Sequence, residues 1–260
     1  MLLAIDIGNT NIVLGLWNGQ NWIARWRLRT IRERTVDEFG IYLRGLLQDE
    51  KEVSISGIKR IIISSVVPQI TRSLTDACRL YLHCEPLIMS TDLSLGIQNR
   101  TDVPEQVGAD RLVNTAAAYH LYRCACIVVD MGTATKFDVV TANGDMLGGV
   151  ISPGLGITAD ALTRRAAKLS QVDLQAPPQA IGSNTIHAIQ SGLIFGYASM
   201  VSGIIPRLKA ELVERNPDTP YIKIIGTGGL ISLVAEHTAV FDVIDPWLTL
   251  KGLEIIARKN

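Results

Sequence analysis

The chain has 260 residues, 47% hydrophobic and 19% charged, and its 25 basic side chains balance 25 acidic ones. A chain of this length can bury one large core or two modest ones, and its neutral charge argues against a nucleic-acid surface, an acidic tail or a membrane-surface role. It enters an apolar strand at once, with no basic leader and no uninterrupted apolar run of about 18 residues, so a cytoplasmic protein with no membrane partner is expected.

The first segment, Leu2-Leu3-Ala4-Ile5-Asp6-Ile7-Gly8-Asn9-Thr10, is an apolar strand that delivers a carboxylate to its end and then turns through glycine. Asn11 to Trp17 and Trp22 to Leu28, joined by the turn signal Asn18-Gly19, complete an antiparallel meander. A helix is expected from Thr35 to Gln48, a strand from Ile58 to Ser64, and a helix opened by Pro68 that runs to about Leu82. Val107-Gly108-Ala109-Asp110-Arg111 precedes a helical run from Leu112 to Leu121. Asp110 can simply complement the positive end of that helix, with Arg111 paired to an exposed acid.

The opening pattern then recurs about half the chain later, as Ile127-Val128-Val129-Asp130-Met131-Gly132-Thr133-Ala134-Thr135. Lys136 to Val140, the turn Asn143-Gly144-Asp145 and Met146 to Ile151 form a second meander, and a helix from Pro153-Gly154 to about Lys168 comes after it. A long helix is next, capped by Ser183 or Asn184. Its stripe of Ile186, Ile189, Leu193, Tyr197, Met200, Ile204, Leu208 and Leu212 steps by three or four residues, Gly192, Gly196 and Gly203 would admit a close neighbour, and Pro206 would kink it. Tyr221 to Ile225 runs into Gly226-Thr227-Gly228-Gly229 and a helix start at Leu230, a turn that could lie flat against a base or phosphate.

One acidic, glycine-containing turn is ordinary turn vocabulary. Two in matching strand contexts favour paired domains, residues 1–121 and 122–260, whose glycine turns present backbone N–H groups to a nucleotide's phosphates in a cleft. The glycine spacing fits neither the dinucleotide fingerprint nor the Gly-Lys-Ser/Thr phosphate loop. Cys78, Cys84, Cys124 and Cys126 lack metal-site spacing and read as free thiols, and the four histidines are scattered.

Together, Asp6 to Asn11, Gly108 to Arg111, Asp130 to Ala134, Gly148-Gly149-Val150-Ile151-Ser152-Pro153-Gly154, and Asn184-Thr185 with Gln190-Ser191-Gly192 resemble type III pantothenate kinase, in order and over almost the whole chain. The resemblance implies an α/β fold of duplicated ribonuclease-H-like domains, as in the actin, hexokinase and heat-shock chaperone superfamily, and a homodimer. It implies phosphorylation of pantothenate by ATP to 4′-phosphopantothenate, the first step of coenzyme A biosynthesis. Asp6, Ile7, Gly8, Asn9, Thr10, Asn11, Ile12 and Val13 would surround the ATP phosphates, with Asp6 near magnesium, and Thr133 would contact ATP. Asp130 would hold potassium or ammonium. Gly108, Ala109, Asp110 and Arg111 would bind pantothenate, with Asp110 as general base and Thr185 as a further contact across the dimer.

The chain departs from the family pattern at two positions. Lys136 stands where threonine is usual, a cation that could reach a phosphate or, as expected here, point to solvent, and Thr101 stands where a tyrosine usually precedes the proline, here Pro104. Other kinases of the superfamily, acting on acetate or a sugar, would share the acidic turns but not the Gly108-to-Arg111 and Asn184-Thr185 pairings. A non-enzymatic ATP-gated switch would bind ATP and phosphorylate nothing.

Overall fold

The computed structural model describes residues 1–50, 53–165 and 172–260. In chain order the elements are β1 (Leu2–Ile7), β2 (Asn11–Trp17), β3 (Trp22–Arg29), α1 (Val36–Gln48), β4 (Arg60–Ser65), α2 (Pro68–Leu82), β5 (Pro86–Ile88), β6 (Gln98–Asn99) and α3 (Ala109–Tyr122). They continue with β7 (Ala125–Met131), β8 (Ala134–Val140), β9 (Asp145–Pro153), α4 (Leu155–Arg165), α5 (Thr185–Arg215), β10 (Ile222–Thr227), α6 (Ile231–Ala235), β11 (Val243–Ile244) and α7 (Leu248–Lys259).

Two sheets carry the same plan. The first has the order β3-β2-β1-β4-β5 and the second β11-β10-β7-β8-β9-β6. In each, an antiparallel meander supplies its first strand to the centre, where a strand returning through a helix pairs parallel to it: β1 with β2 and β4, β7 with β8 and β10. The central strands are buried on both faces. Leu3, Ala4 and Ile5, and likewise Ile127, Val128 and Val129, have no solvent exposure, as parallel neighbours covered by helices require.

Local chemistry sets several boundaries. Thr35 and Glu38 form a reciprocal capping box at the start of α1, and Pro68 occupies the first turn of α2. The Asn18-Gly19 turn forms as expected, with Asn18 Oδ1 accepting the N–H groups of Gln20 and Asn21. The end of α4 anticipated at Lys168 falls outside the described residues.

The residues gather into two compact units, Met1–Gly96 with Val103–Ala117 and Thr249–Asn260, and Ile97–Asp102 with Ala118–Leu248. A single division after residue 121 does not describe this partition. In the first unit α7 lies on α3: Thr249 Oγ1 donates to Asn114 Oδ1 at 2.7 Å, and a Cβ at Gly252 would stand 2.5 Å from the Val113 carbonyl. In the second, β6 pairs with β9 and Arg100 bridges to Asp145 at 3.0 Å. Both contacts join residues remote in sequence, which a local pattern does not register.

The long helix α5 is anchored in the second unit's core by Leu193, Ile194, Tyr197, Val201, Ile205 and Leu212. Ile186, expected on its packed stripe, is instead 49% exposed. A Cβ at Gly192 or Gly196 would meet no described atom within 4 Å, so these glycines do not serve a close neighbour in this chain. Among the described residues α5 is the one helix long and apolar enough to cross a membrane, by length and composition.

Candidate functional site

β1 carries Asp6 to its last turn, where the Gly8 N–H donates to the Asn11 carbonyl at 3.0 Å. Thr30 braces this loop from β3's end. Its hydroxyl donates to the Gly8 carbonyl at 2.7 Å and its N–H to the Thr10 carbonyl at 3.0 Å. A Cβ at Gly8 would approach the Asn11 oxygen to 3.1 Å, so glycine suits the tightness of the turn. Asn9 and Thr10 are exposed, leaving the loop open to a ligand.

Across the parallel pairing Asp6 stands beside Ser64, whose fully buried hydroxyl has no hydrogen-bond partner among the described residues. Sequence reasoning passed over this serine because nothing in an apolar strand marks its neighbour in space. Among the described residues no group of three or more His, Cys, Asp or Glu side chains could hold a metal. A single carboxylate such as Asp6 suits magnesium, which keeps several waters and binds through one or two carboxylates and the phosphates of its substrate.

The second acidic turn is more enclosed. Asp130 ends β7 and faces Lys136 of β8 in direct register, with Lys136 Nζ 2.7 Å from Asp130 Oδ2 and each side chain only 13% exposed. Lys136 therefore does not point to solvent, because its cross-strand position aims the ammonium at the carboxylate. Glycines close the turn on two sides. Gly228 has φ +94°, and a Cβ there would lie 2.6 Å from Asp130 Oδ1, while one at Gly154 would lie 2.2 Å from the Thr133 carbonyl.

The Leu230 N–H donates to the Met131 carbonyl at 3.1 Å, and the Gly154 N–H to Thr133 at the same distance. The Gly226-to-Gly229 turn, read separately in the sequence, is thus part of the Asp130 site. A free monovalent cation does not fit Asp130 as it stands, because the carboxylate already contacts an ammonium in a pair that is only 13% exposed.

At the start of α3, the Asp110 carboxylate accepts the Arg111 N–H at 2.9 Å, and Gly108 accepts the N–H groups of Arg111 and Leu112 at 3.0 and 3.2 Å. A Cβ at Gly108 would fall 2.7 Å from Asp110 Oδ1. The carboxylate thus folds back over its own helix end, as the structural role requires. Gly108 through Arg111 are half-buried.

Asn184, not Ser183, caps α5, its Oδ1 accepting the His187 N–H at 2.9 Å. Gly182 is held close, since a Cβ there would lie 2.2 Å from the Ala188 nitrogen. Thr185 opens the helix and lines a groove of about 660 Å³ with Thr158, Leu162, Asn184 and Gly192. Behind it, the Tyr197 hydroxyl sits 2.6 Å from Thr158 Oγ1 and donates to the Pro153 carbonyl at 2.7 Å, tying α4 and α5 to the end of β9. Thr101 is bound to Asn99 through its hydroxyl and N–H at 2.8 and 3.1 Å and belongs to the second unit.

The cysteines are free thiols. Burial pushes Cys78 up to about 12, and burial with neighbouring Cys124 raises Cys126 as well, so both are poor nucleophiles.

A family model described as type III pantothenate kinase matches residues 2–207. A type III pantothenate kinase of Syntrophobacter fumaroxidans is 44% identical over 261 residues, covering 100% of this chain and 98% of that protein. One of Halalkalibacterium halodurans is 43% identical and covers 100% of both. Among solved structures, an inorganic polyphosphate/ATP-glucomannokinase from Arthrobacter aligns with a TM-score of 0.51 at 13% identity over 100% of this chain and 99% of that one. An ethanolamine utilization protein from Carboxydothermus hydrogenoformans gives 0.57 at 14% over 98% and 89%. These likenesses establish the fold, a duplicated ribonuclease-H-like α/β architecture.

Proposed function

The chain belongs to the type III pantothenate kinase family, and on that premise we propose that it transfers the γ-phosphoryl group of ATP to the terminal hydroxyl of pantothenate, the first step of coenzyme A biosynthesis. The carrying observation is a family match over residues 2–207 together with full-length identity of 44% to a named pantothenate kinase.

In this reading the loop from Asp6 through Val13 cradles the ATP phosphates through its backbone and Thr133 contacts ATP. Asp6 would hold the divalent metal, which screens the phosphate charge when bound. Gly108, Ala109, Asp110, Arg111 and Thr185 bind pantothenate. The hydroxyl oxygen forms a bond to the γ-phosphorus as the bond to the β,γ-bridging oxygen breaks, ADP leaves, and the hydroxyl proton passes to the Asp110 carboxylate. Phosphoryl transfer demands little covalent help, so orientation and fixed charge supply most of the barrier reduction. Potassium or ammonium, implied at Asp130 by the resemblance, takes no part in the transfer, because Lys136 already holds that carboxylate.

A homodimer in the cytoplasm, with no nucleic-acid or membrane partner, completes the proposal. Ile181, Ile186 and Ile157, next in sequence to the groove residues Gly182, Thr185 and Thr158, are 88%, 49% and 47% exposed, apolar surface suited to a second copy.

The test is coupled ADP release with and without pantothenate. ADP should form only with the acceptor present, and 4′-phosphopantothenate should accumulate with it. Release on acetate or a sugar instead, or ATP binding with no acceptor phosphorylated, would defeat the reading.

A further inference from the structure

We infer that the Lys136 ammonium is the resident cation of the second acidic turn, a positioning group that takes the place of any free monovalent ion at Asp130. The inference rests on the proposed kinase activity.

The pair is built into the sheet. Asp130 and Lys136 are direct cross-strand partners of β7 and β8, and the residues flanking the lysine, Thr135 and Phe137, have no solvent exposure. Buried neighbours fix the register, and register fixes the ammonium. A one-residue slip would turn Phe137 out of the core, so the lysine's position is as well determined as the core itself.

The Nζ lies 2.7 Å from Oδ2, and both side chains are 13% exposed. This is not a loose surface pair. Charges removed from water to this extent need a partner, and each supplies the other's.

A second cation would have to share the carboxylate with the ammonium. Oδ2 contacts the ammonium, and Gly228 comes close enough to Oδ1 that a Cβ there would stand 2.6 Å from it. An added potassium ion would bring like charges within a few ångströms in a partly dry site, which is strongly unfavourable.

A lysine ammonium is a compact point charge with three rotatable donors, chemically a primary-amine counterpart of ammonium itself. Tethered to β8, it is present at an effective concentration on the order of millimolar or above without competition from bulk ions. It would hold Asp130 and the Thr133 turn in one geometry while ATP binds and leaves, and no bond to it forms or breaks.

The experiment uses the full chain at matched ionic strength in potassium, sodium or tetramethylammonium chloride. For the unaltered protein, pantothenate-dependent ADP release should agree within about two-fold in all three salts, and its melting temperature with Mg·ADP should not depend on the cation. Lys136→Thr should lose about tenfold or more of its rate in tetramethylammonium and regain it in potassium, with a potassium-dependent rise in melting temperature that the parent lacks.

Saturable stimulation of the parent by potassium, matched by a potassium-dependent melting temperature, would overturn the inference. That arm stands even where Lys136→Thr fails to fold. Should no salt support pantothenate-dependent ADP release, the kinase reading fails, while the melting arm still decides whether Asp130 takes up an outside cation.

Discussion

The turns after β1 and β7 sit in the same strand order and end in the same acid-x-glycine pattern, yet the residue across the ladder differs. Asp6 stands opposite Val13, and Asp130 opposite Lys136. Shared topology places a carboxylate at each strand end, and one cross-strand side chain then sets the charge that the turn offers. A valine brings no charge of its own to the first carboxylate. A lysine neutralises the second and makes it a fixed part of the wall.

The halves diverge again beyond the meander. The first inserts the 13-residue α1, the second α4 and the 31-residue α5. Apolar surface beyond the needs of one core and the Thr185 groove both come with that longer insertion. In the proposed reaction, the first half's carboxylates carry the chemistry and the second half's turn holds geometry.

Asp110 in the first half should show the largest effect. Asn keeps its size and helix-end hydrogen bonding, so a structural role alone predicts little loss, whereas a general base predicts a kcat lower by roughly 10²–10⁴-fold with ATP binding and melting temperature nearly unchanged. Steady-state kinetics with pantothenate decides this, and a kcat within a few-fold of the parent returns Asp110 to capping.

Making the first turn resemble the second comes next. Val13→Lys should pair Asp6 internally and raise the magnesium concentration needed for half-maximal rate by about 10–100-fold, the scale seen when metal-supporting contacts are lost. An unchanged magnesium titration would show that the cross-strand residue does not set the turn's charge.

Thr185→Ala tests the insertion. Losing one hydroxyl contact should raise KM for pantothenate about 2–10-fold and leave KM for ATP and the melting temperature nearly unaltered, since Asn184 still caps α5. Equal shifts for both substrates would count against a pantothenate contact.

The smallest expected signal uses the buried thiol in each half, Cys78 in α2 and Cys126 in β7. With both thiols raised by burial, iodoacetamide at neutral pH should leave them unmodified in the native protein, and mass spectrometry should find half-exposed Cys124 labelled before either. Faster labelling of one buried thiol would identify the half that opens more readily.

The sequence alone determined the duplicated meanders, the two acidic turns, the start of α2 at Pro68 and the extent of α1 to Gln48, because apolar periodicity and helix-start chemistry act within a few residues. It also held the family motifs in order. Only the tertiary structure decided what those residues face. β6 is two residues long and exists through its pairing with Asp145 and Met146, α7 joins α3 across more than half the chain, and the Gly226-to-Gly229 turn closes over Asp130 from a separate strand. Lys136 shows the limit most plainly. A lysine in a strand looks like a solvated charge until the register of β8 against β7 puts a carboxylate 2.7 Å away, and register is a property of the assembled sheet.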